Sequence, residues 1–277
     1  MKLDAHHHLW RYSAREYGWI GEGMEALRRD FLPEELAREQ RALGFDGGIA
    51  VQARQTLEET EWLLGLAKGN DRIAGVVGWV DLCSAELPGQ LGRFSGNRKL
   101  RGIRHVVQDE RDDRFVAREE FVRGIAQLGK WKLAYDILIY PRHLGVACDL
   151  VRRFPEQVFV LDHMAKPPIK SGELEPWASG IRALAELPNV ACKASGMVTE
   201  ADWKRWRPSE LRPYLDVVFE AFGAERVMIG SDWPVCTVAA SYAEAMGVVI
   251  EYIREMSEAE QKLVVGENAM RWYGIGA

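Results

Sequence analysis

Cysteine is scarce and scattered: Cys83, Cys148, Cys192 and Cys236 form no C-x-x-C pair in 277 residues. That spacing argues against a disulfide framework and against a structural zinc knuckle, so the thiols read as buried side chains. A basic excess is missing too, since 36 Lys and Arg stand against 41 Asp and Glu, giving a net charge of −5 with both signs mixed along the chain. Nucleic acid and anionic membranes need a basic footprint, so the expected partner is a small molecule. No apolar run approaches the roughly 20 residues of a membrane span, and the first residues lack the apolar core and cleavage site of a signal peptide. The expectation is a cytoplasmic protein with no membrane or nucleic-acid partner, a monomer or a homodimer.

What is present begins at once. Leu3-Asp4-Ala5-His6-His7-His8 reads as a strand, whose period of two places Asp4, His6 and His8 on one face and His7 on the other. Two imidazoles about 7 Å apart on one face grip a metal ion or polarise a carbonyl, and a neighbouring carboxylate orients one ring. Next comes an aromatic-rich segment, Arg11 to Asp30, with Tyr12, Tyr17 and Trp19, which reads as a packed cover. From Phe31 onward apolar strand-like runs alternate with helical patterns. The remaining strands are expected at 47–52, 72–80, 100–107, 132–139, 157–162, 189–194 and 226–230, with helices between them. The helix at 85–94 is interrupted by Pro88 and Gly89, and extra helices close the chain near Ser241, Glu258 and Asn268. Eight strand–helix units without a linker predict one domain over 1–277, an α/β fold of the single (β/α)8 TIM-barrel type. An open doubly wound sheet would carry a glycine-rich phosphate loop after its first strand, and His6-His7-His8 stands there instead.

Barrel enzymes place their chemistry at the C-terminal ends of the strands. Here those ends carry His6 and His8, Gln52, Trp79 with Asp81, Arg104 with His105, Asp136, His163, Lys193 with Ser195, and Asp232, with Arg142 and His143 just beyond the fifth strand. Histidines gathered in this way, rather than scattered over helices and loops, point to catalysis. Plainer readings exist for each: a core histidine for His163, a helix cap for Asp232, and a structural ion-pair network for Arg104, Asp136 and Lys193.

Three of these motifs, His6-x-His8, Leu161-Asp162-His163 with Lys166-Pro167, and Gly230-Ser231-Asp232-Trp233-Pro234, resemble the amidohydrolase superfamily. With Gly102-Ile103-Arg104-His105, Pro141-Arg142-His143-Leu144 and Lys193-x-Ser195-Gly196 the resemblance narrows to the branch of sugar-acid lactonases and 2-pyrone-4,6-dicarboxylate lactonase. It spans about residues 2 to 273. Two-metal members are similar in having a bridging lysine or glutamate after strand four and a histidine after strand five; Arg104-His105 and Asp136 stand there in this chain. The resemblance therefore implies either one divalent ion such as zinc on His6, His8 and Asp232, or metal-free catalysis in which the histidines hold the carbonyl.

The activity so implied is hydrolysis of a lactone, a sugar-acid lactone rather than a pyrone dicarboxylate, because only Arg104 and Arg142 are at hand for carboxylates. Asp232 would activate water, and His6, His8 and His163 would stabilise the oxyanion. Arg104, His105, Asp136, Arg142 and Lys193, with Trp10, Trp79 and Trp233, are the expected substrate contacts. The alternatives are a metal-dependent decarboxylase of an aromatic or unsaturated acid on the same fold, and a binding protein without catalysis.

Overall fold

A computed structural model describes residues 1–276. Eight parallel strands, β1 (Leu3–His7), β2 (Gly47–Val51), β3 (Ile73–Gly78), β4 (Leu100–Val106), β5 (Ala134–Leu138), β6 (Phe159–Leu161), β7 (Val190–Ala194) and β8 (Val227–Ile229), lie side by side in sequence order. Around them run α1 (Pro33–Ala42), α2 (Leu57–Lys68), α3 (Leu87–Phe94), α4 (Glu119–Leu128), α5 (Leu144–Arg152), α6 (Trp177–Ala185), α7 (Met197–Glu200), α8 (Pro208–Phe222) and α9 (Tyr242–Tyr252), followed by α10 (Glu258–Lys262) and α11 (Asn268–Trp272). This is the (β/α)8 barrel expected. Its seam is closed beyond β8, where Asp232 N–H donates to the His6 carbonyl (2.8 Å) and His8 N–H to the Trp233 carbonyl (2.6 Å).

Strand sequences such as Gly47–Val51 are buried throughout, as strands covered on both faces must be. Inside the barrel Leu3, Ala5, Ile49, Val51, Val77, Ala134, Val160, Ala191 and Met228 form an apolar plug, joined from the far side by Ala269 and Tyr273 of the C-terminal helix and its end. The site therefore rests on a packed floor. Pro88 lies in the first turn of α3, where no N–H is needed, so it starts that helix rather than breaking it. Strands β6 and β8 are shorter than their apolar runs suggest because a turn ending at Gln157 and a 3-10 helix at Ala224–Arg226 precede them, and the chain turns left-handed soon after them, at His163 (φ 52°) and Asp232 (φ 57°). The segment after β1 is pinned at its base by paired backbone bonds between Trp10 and Phe31 (3.0 and 2.9 Å), and it is built of turns with one short 3-10 helix, Glu25–Leu27.

β1 departs from strict alternation. Its register against β2 shifts between Asp4 and His7, a bulge that lets Leu3 and Ala5 face the barrel interior and still turns His6 and His8 toward the mouth. Asp4 thus leaves the face predicted for it. Its carboxylate accepts from Ser231 N–H (2.9 Å), Ser231 Oγ (2.6 Å) and its own strand's His6 N–H (3.1 Å), stapling the turn after β8 to β1.

Candidate active site

The C-terminal ends of the strands open into a cavity of about 1270 Å³, with His8, Arg104, His163 and Asp232 at its floor. Asp232 Oδ1 is the focus: it lies 3.3 Å from His8 Nε2, 3.8 Å from His163 Nε2 and 3.9 Å from His6 Nε2. Burial pushes its pKa up, but the neighbouring His163, His8 and Lys166 outweigh that and hold the carboxyl below its ordinary value. It is an ionised base, largely buried at the cavity floor.

The histidines are aimed by what stands behind them. His8 Nδ1 meets the Val51 carbonyl at 2.8 Å, which fixes the proton on that nitrogen and leaves Nε2 bare. His6 Nε2 faces a guanidinium nitrogen of Arg104 at 3.3 Å; guanidinium only donates, so this nitrogen too is unprotonated, and an ion bound there would take the place of the Arg104 contact. The two Nε2 atoms stand 3.2 Å apart. Two imidazole ligands at about 2.05 Å on one tetrahedral ion would be about 3.3 Å apart, so His6, His8 and Asp232 have the donor set and spacing of a single-metal site. A second grouping, His6, Asp162 and His163, is unsuited, because Asp162 is already taken by Lys193 (2.9 Å) and Arg104 (2.9 Å).

His163 starts a run of four left-handed residues, with φ of 52° to 57° from His163 to Lys166, closed by Lys166 N–H to the His163 carbonyl (2.8 Å) and clamped by Trp177 Nε1 on the Met164 carbonyl (2.7 Å). Such a run is costly for side-chain-bearing residues and marks a conformation imposed by its surroundings. Its ring is held by Ser195 Oγ at 2.9 Å and packs on Gly196, where a Cβ would come within 2.6 Å of Nδ1. Burial lowers the His163 pKa to about 4, so the ring is neutral at physiological pH.

Beneath the floor lies a quartet of buried charges. Lys193 Nζ contacts Asp136 (2.6 Å), Asp162 (2.9 Å) and His6 Nδ1 (3.3 Å), and Tyr273 donates to Asp136 at 2.7 Å. Arg104 completes it and also donates to the Gln52 carbonyl. Burial tends to neutralise both carboxyls, but Lys193, His6 and Arg104 hold Asp162 well below its ordinary pKa, whereas Asp136 stays above its own. The carboxylate facing His6 is therefore Asp162, at 3.3 Å from Nδ1, in the role expected of Asp4.

Several expected substrate contacts lie elsewhere. Alternation along β4 turns His105 away from Arg104, onto Phe115 (4.8 Å, stacked) and Glu110 (2.8 Å). Arg142 sits half exposed on Asp113 (2.8 Å), outside the cavity lining. Trp10 is fully buried with its indole N–H on the Arg29 carbonyl (2.9 Å), Trp233 packs edge-on against Phe31, and Trp79 holds Thr60 through its backbone; none of the three lines the cavity. Asp136 and Lys193 are fully buried beneath the floor, within the ion-pair network. Aromatic walls come instead from Trp19, Tyr140 and Trp203. Lys166, Asp162 and Ser195 stood inside the motifs read from the sequence; Glu200 and Trp203, on or beyond the four-residue α7, gave no sequence signal.

An ionised carboxylate ringed by imidazoles at the C-terminal mouth of a parallel barrel is the site of a barrel enzyme. The chain belongs to the amidohydrolase family, whose family model matches residues 3–275. It is 43% identical to the L-fucono-1,5-lactonase of Burkholderia multivorans over 99% of this chain and 96% of that one. It is 38% identical to the L-fucono-1,5-lactonase of Burkholderia ambifaria, over the same shares of the two chains. The crystal structure of an amidohydrolase from Burkholderia multivorans with bound zinc superposes with a TM-score of 0.96 at 43% identity, covering 99% of each chain.

Proposed function

We propose that this enzyme hydrolyses a sugar-acid lactone of the L-fucono-1,5-lactone kind. The observation that carries the reading is Asp232, ionised although buried and surrounded by three imidazoles at the floor of a cavity roomier than the roughly 300–1,000 Å³ of common ligand pockets. The identity to two lactonases of that name supports the substrate class.

Asp232 removes a proton from water as its oxygen adds to the lactone carbonyl carbon. His163, with Nδ1 turned to Ser195 Oγ, donates from Nε2 to the oxyanion that forms. Collapse breaks the bond between the acyl carbon and the ring oxygen, and the proton on Asp232 passes to the departing alkoxide. The product is the open hydroxy acid, which loses one proton to solvent at neutral pH. Arg104, anchored by Asp162 and the Gln52 carbonyl, orients the carbonyl end of the ring. We assign a zinc ion to His6, His8 and Asp232, with Asp162 and Val51 orienting the two rings; when bound, the ion supplies Lewis-acid polarisation of the carbonyl.

Proton release measured against a panel of five- and six-membered sugar lactones, with and without chelator, tests the reading. Acidification with a six-membered lactone, reduced by chelation and restored by zinc, is expected. No acidification with any lactone overturns the lactonase reading, and carbon dioxide release from an aromatic acid would favour the decarboxylase.

A further inference from the structure

Most polar groups on the cavity wall already have protein partners. Arg54 is held by Glu16 (2.6 Å), Gln55 accepts from the Val106 N–H (2.8 Å), and Thr199 donates to the Gly196 carbonyl (2.7 Å). Among the described residues Gln108 Oε1 and the Tyr140 hydroxyl are unpartnered single groups; the ion pair with spare capacity on both members is Lys166 with Glu200. Lys166 Nζ donates to Glu200 Oε1 at 2.7 Å, and among the described residues neither the remaining ammonium hydrogens nor Glu200 Oε2 has a hydrogen-bond partner. Both side chains line the cavity and are only 17% and 21% exposed. The left-handed turn brings Lys166 within three residues of His163 and bonds the two backbones, while Glu200 ends α7, a few residues after Ser195. The pair therefore stands beside the reaction centre, with donors and an acceptor next to one another and Tyr140 and Trp203 also on the wall.

We propose that Lys166 and Glu200 form a subsite that reads two adjacent ring hydroxyls, Lys166 Nζ donating to one oxygen and Glu200 accepting from the other hydroxyl. A lone hydroxyl, or a bare ring, leaves one half of the pair unmatched in a partly desolvated wall, which is how a polar site rejects an analogue lacking the group it was built to bond. The subsite makes the enzyme select polyhydroxylated lactones over unsubstituted ones. This deepens the lactonase reading and rests on it for the reaction, though not for the binding chemistry.

Two measurements on the same proteins separate the two claims. The first is calorimetric binding of a non-hydrolysable hydroxylated δ-lactam and of bare δ-valerolactam to wild type, Glu200→Gln and Lys166→Met. Hydrogen bonds to charged groups predict that wild type prefers the hydroxylated lactam by at least about 30-fold and that each variant keeps less than about 3-fold of that preference. A preference retained in the variants, or equal weakening of both lactams, overturns the subsite, the latter because it marks the pair as a structural prop for α7. Glu200→Gln preserves shape and keeps the test valid should Lys166→Met fold poorly. The second measurement is kcat/KM for the matching hydroxylated and bare lactones, where the same selectivity must be lost; if wild type opens neither lactone while the lactam preference behaves as predicted, the reaction assignment fails and the hydroxyl-reading subsite stands.

Discussion

Replacing Lys193 by Met removes one cation from a buried quartet that is balanced as it stands, Asp136 and Asp162 against Lys193 and Arg104, none more than 3% exposed. At an effective dielectric of about 20, each Lys193 contact near 2.9 Å is worth about 6 kcal/mol before desolvation. The ammonium's own desolvation offsets much of this, and breaking such a buried pair leaves a net loss of about 3 to 5 kcal/mol. At roughly 2 °C or more per kcal/mol for a chain of this size, the melting temperature should fall by about 6 to 10 °C. The loss should depend on pH with a definite sign. Asp136 already lies above the ordinary carboxyl range through burial, and without Lys193 it rises further. From about pH 4, where the unfolded carboxyl ionises, up to the raised folded pKa, the folded state binds the extra proton, so stability declines as pH rises through that window. The variant's deficit is therefore smaller at pH 5 than at pH 8. Adding Asp136→Asn removes the stranded charge and should recover about 1 to 3 kcal/mol. Thermal melts of wild type, single and double variants at the two pH values decide it. A single variant as stable as wild type at pH 8, or a double variant no better than the single, would refute the balanced-quartet argument.

Other perturbations reach other parts of the account. Gly196→Ala puts a Cβ 2.6 Å from His163 Nδ1 at a φ of +65°, so the ring must leave Ser195; kcat/KM should fall about 100-fold, as for a misplacement near 1 Å, and full activity would contradict the packing argument. His7 is buried without a partner for either ring nitrogen, and burial lowers its pKa to about 3. As pH falls below about 6.5 the unfolded state gains a proton that the folded His7 refuses, so His7→Gln should gain on wild type by about 1.4 kcal/mol per pH unit; a pH-independent difference in chemical denaturation would contradict this. Chelation should lower the melting temperature of wild type, with recovery on adding zinc, and His8→Ala should be insensitive to both treatments, as expected when an ion binds only the folded state. Equal sensitivity of the two proteins would remove His8 from the ligand set.

The barrel was legible because strands buried on both faces stand out as apolar runs separated by helical patterns. The motifs gave strand ends as well, and His6, His8, Arg104, His163 and Asp232 do converge there. Three things escaped the pattern for physical reasons. The bulge in β1 breaks the period of two, so Asp4 serves the turn at Ser231 and Asp162 faces His6. Alternation along β4 means that Arg104 and His105 cannot both face inward, and His105 is the one turned out. The cavity walls depend on a four-residue helix and on a left-handed turn, neither of which has a periodicity to read; hence Glu200 and Trp203 emerged only in three dimensions and the position of Lys166, though its motif was legible, followed from the turn, while Trp10, Trp79 and Trp233 proved to be packing.

The central claim, that water activated by Asp232 attacks the acyl carbon, is tested most directly by a single turnover of a six-membered sugar lactone in ¹⁸O-labelled water with enzyme in excess. The account predicts one labelled oxygen in the product carboxylate in that first turnover, none in the liberated hydroxyl, and none in Asp232. An unlabelled product with the label in Asp232, or label in the hydroxyl, would contradict it.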